Sequence, residues 1–134
     1  RLYWTNIPFG PIADKKLTLG DVLTKTQHEV WDISKVHDRW LTKNYLQWDV
    51  NGAGHKSQDA RAYFLTGKSG TLTCSHILKC YNNGVVYKLN LTDHERLQTL
   101  PDDYTEGISR GKRIHAIGNG WTVDIIAHIF EGLK

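Results

Sequence analysis

The stretch from Val85 to Pro101, "VVYKLNLTDHERLQTLP", changes its period halfway along. Val85 to Leu89 alternates as a strand does and is rich in β-branched and aromatic side chains. From Asn90 the pattern turns helical. Asn90 stands three residues before Asp93, the Asn-x-x-Asp form of a capping box, in which each side chain accepts from the other residue's backbone N–H. Pro101, with no N–H to give, stops that helix about two and a half turns later. A strand that feeds straight into a capped helix predicts an α+β chain, with short strands and loops first and helices last.

Working back toward the start, Asn82-Asn83-Gly84 is a hairpin turn signal. Gly70 to Cys74 and Ala60 to Leu65 read as further strands, joined by a turn at Gly67 to Gly70. Asn44 to Gln58 carries Asn51-Gly52-Ala53-Gly54 among polar residues and reads as a mobile loop. Val30, Trp31, Ile33, Val36, Trp40 and Leu41 form a mixed pattern, taken as a short helix. Leu17 to Leu23 predicts one or two helical turns, capped by Thr18 with Asp21 three residues on. Leu2-Tyr3-Trp4 reads as a short aromatic strand, ended by Asn6 and the Pro8-Phe9-Gly10-Pro11 cluster, which looks like a boundary. Beyond Pro101, Thr122 caps a last helix lined on one face by Val123, Ile126, Ile129, Phe130 and Leu133.

The 134 residues make one domain-sized unit. A hydrophobic content of 40% and a charged content of 23% are those of a soluble globular protein, and no apolar run is long enough to cross a bilayer. Two cysteines, Cys74 and Cys80, are too few for a disulfide scaffold, which implies a reducing, cytoplasmic setting. The absence of a leader and of any Met suggests a piece of a longer polypeptide. Charge is uneven: His55 to Lys88 holds five bases and one acid, a net of +4, whereas Leu89 to Lys134 has five bases and seven acids, a net of −2. The middle is the part that attracts a polyanion, unless it is simply a solvated basic face.

Gly67-Lys68-Ser69 resembles the end of a phosphate-cradling nucleotide loop. That loop needs a second Gly five residues before the Gly-Lys-Ser, and Ala62 stands there. It also opens a helix, whereas Gly70 and Thr71-Leu72-Thr73 follow here and disfavour one. A nucleotide-hydrolysing site is therefore not expected. Cys74 and Cys80, with His76 between them, are too far apart and too few for a structural zinc site, so no metal is expected either.

Three signatures occur in one order. "RLYWTNIP" (Arg1 to Pro8) resembles the end of the arginine motif of DNA cytosine-5 methyltransferases. "ERLQTLPDDYT" (Glu95 to Thr105) is similar to that family's Arg-Leu-Gln-x-Phe-Pro-Asp helix, and "IGNGWTVDIIAHIF" (Ile117 to Phe130) to its closing Gly-Asn-Ser-x-x-Val-Pro motif in a Trp-bearing variant. The variable stretch between the first two is, in the family, the target-recognition domain. There "GKSGTLT" (Gly67 to Thr73) matches a recurring element. The resemblance covers nearly the whole chain and implies three parts: the end of the catalytic-domain sheet at 1–9, a target-recognition domain at 10–88, and a helical return with the closing motifs at 89–134. Those last helices complete an S-adenosylmethionine-dependent methyltransferase fold in the family.

Such enzymes attack carbon 6 of a flipped-out cytosine with a Cys thiolate and transfer methyl from S-adenosylmethionine to carbon 5. Neither cysteine here follows a proline, as that nucleophile does, so the chain alone is expected to be inactive. The resemblance gives Arg1 a supporting role at the flipped base and puts Asn119, Gly120 and Trp121 beside the cofactor. Gly120 replaces the usual Ser, and Asp124 the usual Pro. Arg96 and Gln98 fall on the bracing helix and are read as structural.

For DNA, Asn51, His55, Gln58 and Arg61 are candidate base readers. Lys56, Arg61 and Lys68 are phosphate candidates, with Ser69 and Thr71 beside them on the loop. The implied partners are double-stranded DNA and the catalytic portion or subunit of the methyltransferase. No membrane is implied. The implied setting is a bacterial or phage-encoded restriction-modification enzyme, nucleoid-associated through its DNA. The alternative is a catalytically inactive DNA-binding or regulatory module.

Overall fold

The structure is a computed structural model that describes residues 3–26, 28–34, 36, 39–49 and 57–133. Its elements, in chain order, are α1 (Leu19–Val22), β1 (Glu29–Trp31), β2 (Arg39–Leu41), β3 (Tyr45–Trp48), a 3-10 turn (Gln58–Ala60), β4 (Arg61–Phe64), β5 (Lys79–Asn82), β6 (Val85–Lys88), α2 (Leu91–Leu97), α3 (Arg110–Asn119) and α4 (Val123–Glu131). The architecture is α+β: a six-stranded mixed sheet followed by C-terminal helices.

The sheet order is β1-β6-β5-β4-β3-β2, with β4 and β5 parallel and every other pair antiparallel. β5 and β6 close through Asn83 (φ 48°) and Gly84 (φ 86°), the two left-handed positions that a hairpin turn of this twist requires. The parallel pair cannot close that way, so residues 65–78 cross over one face of the sheet. Alternation decides the two faces. Tyr63, Cys80 and Tyr87 point to a cluster with Leu19, Leu78 and Leu89, covered by Leu23, Leu72 and Leu97. Ala62, Tyr81 and Val86 point the other way, to Leu46, Trp48 and Ala60, covered by Trp31, Ile33 and Val36.

That second face explains the largest departure from the sequence reading. Val30 to Leu41 is not a helix: Glu29–Trp31 and Arg39–Leu41 are the two edge strands of the sheet. Ile33 and Val36, which lie between these strands in sequence, pack on the apolar face, so the mixed pattern reflects contact with the sheet. Tyr45–Trp48, expected within a loop, is strand β3 with Leu46, Gln47 and Trp48 buried. Gly70 to Cys74 is irregular, and Tyr3 and Trp4 join no strand; Leu2 lies outside the described residues.

The capped elements form as expected. Thr18 and Asp21 make a capping box on α1, and Asn90 and Asp93 make one on α2, with Asp93 N–H donating to Asn90 Oδ1 at 2.8 Å. Asp93 also accepts from Thr24 N–H at 2.7 Å and pairs with His28 Nε2 at 2.7 Å, pinning Thr24 and His28 to the start of α2. The N-terminal strap lies along α4. Lys15 pairs with Asp124 at 2.7 Å, His128 Nε2 meets Gly10 O at 3.1 Å, and Gly132 leaves room for the Pro8 carbonyl where any Cβ would collide. Among the described residues no helix is long and apolar enough to cross a membrane.

Candidate nucleic-acid interface

The Gly67 to Thr73 loop is the start of the crossover, and it is held from several sides. Leu19 N–H donates to Gly67 O at 2.7 Å and Gly20 N–H to Leu65 O at 2.9 Å, so α1 buttresses its first half. Gly70 sits against the Tyr63 ring, closer than any side chain at that position would allow. The Gln58 carboxamide donates to Thr71 O. At the far end Gly118 of α3 lies on the Thr73–Cys74 peptide, again with no space for a Cβ. Backbone held in this way presents its outward side chains from a fixed base.

The outward side chains are Lys68 and Thr71; Ser69 is half-buried. Lys68 Nζ is not idle, since it pairs with Asp14 Oδ1 of the N-terminal strap at 2.9 Å. The Asp14 carboxyl is held below the usual carboxylate range, first by the Lys68 hydrogen bond and then by the Lys16 N–H.

Arg61 departs from its expected role. Its Nε donates to Gln47 Oε1 at 2.9 Å, and its guanidinium lies over the Tyr45 ring at 4.9 Å from the centroid. It is a half-buried packing residue of the sheet. Gln58 is likewise engaged with the loop backbone. Lys79, counted in the basic middle, has its Nζ on Asp59 O at 2.9 Å, above the stacked Trp31 and Trp48 rings. Burial lowers its pKa. Lys88 pairs with Glu29 at 2.6 Å. The net charge of the middle therefore overstates the charge free to meet a polyanion. Arg1, Asn51, His55 and Lys56 lie outside the described residues.

A second cluster forms at the turn between α3 and α4. Gln98, only 3% exposed, donates from Nε2 to Ile117 O at 2.8 Å and to Gly120 O at 3.1 Å, and its Oε1 accepts from Thr122 Oγ1 at 2.9 Å. Val123 N–H donates to Gln98 O at 3.0 Å and Asp124 N–H to Thr99 Oγ1 at 2.9 Å. Gln98 O and Thr99 Oγ1 thus take the first N–H groups of α4, while Thr122, the expected cap, gives its hydroxyl to Gln98 and no side-chain cap to its own helix. The turn leaves Trp121 61% exposed and Asn119 at the surface, its Nδ2 3.2 Å from His115 Nδ1. Arg96, beside Gln98, makes two 2.6 Å bonds to Asp102 and one of 3.3 Å to Val22 O, a bracing role.

A third cluster had no signal in the sequence. Glu95 is fully buried and accepts through Oε1 from Thr105 N–H and Oγ1 and from Arg113 at 3.0 Å. This locks the segment before α3 against α2. Cys80 is buried, with its thiol pushed up to about 11 by burial first and Asp93 second, which makes it a poor nucleophile. His76 pairs with Asp59 at 3.1 Å. Among the described residues no group of three or more His, Cys, Asp or Glu is arranged to hold a metal ion.

The geometry defines a class: an α+β protein whose mixed sheet carries a braced loop and whose helices end in a clasped turn. Neither a protein-family model nor a curated protein sequence matches the chain.

Proposed function

We propose that the chain is the DNA-recognition and C-terminal portion of a DNA cytosine-5 methyltransferase, which methylates carbon 5 of cytosine once joined to its catalytic portion. The observation that carries the reading is the Gln98 clasp. Two of the three signatures lie about twenty residues apart in sequence, and through Gln98 they form one hydrogen-bonded unit. A chance match to two short motifs gives no reason for the Gln of one to satisfy the backbone and hydroxyl of the other.

The braced loop supports the DNA-binding half of the reading. Lys68 projects from a backbone fixed by α1, Tyr63 and α3, the arrangement a phosphate contact needs to set register. S-adenosylmethionine enters through the resemblance, and the closing turn suits one wall of its site: an exposed indole at Trp121 beside the Asn119 amide. When bound, that cofactor supplies the methyl group. This chain's part would be to flank it and to hold DNA.

α4 presents Val123 and Phe130 to solvent, with Trp121 just before its start and Leu133 just after its end. In this reading that apolar face meets the catalytic portion, which brings the Cys nucleophile this chain does not carry. The test is labelled-methyl transfer to DNA by the chain, by its catalytic portion and by both together. Transfer only in the mixture supports the reading. Silence in all three alongside DNA binding favours a catalytically inactive recognition or regulatory module.

A further inference from the structure

The contact between Lys68 and Asp14 joins the proposed DNA loop to a segment 54 residues earlier in the chain. One carboxylate oxygen, Asp14 Oδ1, accepts from both Lys68 Nζ at 2.9 Å and Lys16 N–H at 2.8 Å. The Lys16 N–H bond is local to the segment and leaves with Asp14, whereas an ammonium on an anionic oxygen, as Lys68 makes here, is a contact that nucleic-acid phosphates commonly take from proteins. We propose that Asp14 is a built-in surrogate for a DNA phosphate, occupying Lys68 in the free protein and leaving it when DNA engages the loop. This rests on the reading of Lys68 as a phosphate ligand and adds a regulatory element to it.

The strap that carries Asp14 is lightly held. Residues 11–17 are all exposed, Ile12 and Leu17 being about half covered, and its tie to α4 through Lys15 and Asp124 is itself open to water. Between the strap and α4 lies a cavity of about 770 Å³, walled by Pro11, Ile12, Leu17, Ile125 and His128. Lys16 stands at φ 54°, a left-handed conformation disfavoured for a residue with a Cβ and relieved when the strap lifts. The pair itself is open to water, Lys68 at 66% and Asp14 at 69% side-chain exposure, so its hold is weak and screened by salt. The Gly67 to Thr73 loop stays in place meanwhile, because its braces come from α1, Tyr63 and α3.

Lifting the strap would also release Lys15 and Lys16 toward the incoming backbone. One segment thus shields the loop from stray anions and adds cations once a polyanion strong enough to displace it arrives.

The test is binding of a fluorophore-labelled DNA duplex across a salt series by four proteins: the wild-type chain, Asp14→Asn, Lys68→Gln and the double variant. Asn at position 14 keeps an oxygen for the Lys16 N–H and removes the charge. Asp14→Asn is expected to bind about two- to fivefold more tightly, the range an exposed ion pair can withhold. Its log–log salt slope should stay close to the wild type's, because Lys68 meets the same phosphate in both complexes. In the Lys68→Gln background the same change should have no effect. Asp14→Asn indistinguishable from a DNA-binding wild type overturns the inference alone, as does tightening that persists without Lys68. Failure of all four proteins to bind overturns the phosphate reading of Lys68 together with it.

Discussion

Gln98 and Thr122 face each other across the junction of α2 and α4, the Thr122 hydroxyl donating to Gln98 Oε1 at 2.9 Å. The other end of the same carboxamide closes on Ile117 O and Gly120 O. One buried amide thus satisfies two carbonyls at the end of α3 and orients the start of α4, where Thr122 offers no cap of its own. Gln98→Leu should destabilise the fold by about 2–3 kcal/mol, because three bonds go and two carbonyls are left without a donor. Thr122→Val should cost only about 1 kcal/mol. Urea midpoints check both, and amide exchange in α4 should rise before that in the sheet.

His94 makes stability depend on pH. Its Nε2 accepts from Leu78 N–H at 3.2 Å and its Nδ1 faces Asn90 O at 2.7 Å, which fixes the neutral ring with its proton on Nδ1. Burial holds the imidazole below its usual 6.5, against the Asn90 carbonyl and the Asp93 carboxylate, which favour the charged form. The unfolded chain therefore binds a proton that the folded chain refuses. This contribution is fully present above pH 6.5 and is lost as pH falls below it. Thermal unfolding across that range should show the loss, and His94→Gln should flatten it.

Arg61 and Lys68 should separate cleanly. Arg61→Ala removes a bond to Gln47 and a guanidinium from the Tyr45 ring, so it should lower stability by about 1–2 kcal/mol. Lys68→Gln should leave the urea midpoint in place and reduce the magnitude of the DNA salt slope by about 0.9. A large stability loss at Lys68, or none at Arg61, contradicts the division of roles.

The exposed side of α4 carries a different expectation. Phe130 is 53% exposed and stands two helical turns from the exposed Val123, with exposed Leu133 just beyond the helix end. The isolated chain should self-associate as its concentration rises, and Phe130→Ser should reduce this. Sedimentation velocity reads the change; a wild type that stays monomeric at high concentration contradicts it.

What was legible in the sequence was whatever short-range chemistry decides. The boxes at Thr18/Asp21 and Asn90/Asp93 and the Asn83-Gly84 turn each depend on residues within a few positions, and each forms. β1 and β2 were not legible. β1 pairs with β6 far along the chain, β2 is short and exposed throughout although its partner β3 follows it directly, and between them Ile33 and Val36 reach a sheet face from among polar residues. β3 hid behind Gln47, a polar side chain buried to bind Arg61 and the Ala60 carbonyl. α3 has two glycines and a cationic first turn. Gly118 is required by its contact with the Thr73–Cys74 peptide, and Arg113 is neutralised by Glu95. At the candidate interface the sequence pointed to the loop and to Lys68 but credited Arg61 and Gln58 with outward roles that tertiary contacts take up. Asp14, an ordinary acid in a polar run, gave no sign of its partner.

Methyl transfer tests the central claim most directly. Labelled S-adenosylmethionine and DNA are incubated with the chain, with a matching catalytic portion that carries the Pro-Cys loop, and with the two combined. Without a nucleophile at carbon 6 of cytosine, carbon 5 is not activated, so the chain alone should transfer nothing. The mixture should transfer methyl to cytosine, and Gln98→Leu should weaken that rescue by loosening the turn that the proposed function puts beside the cofactor. Methylation by the chain alone would contradict the account outright.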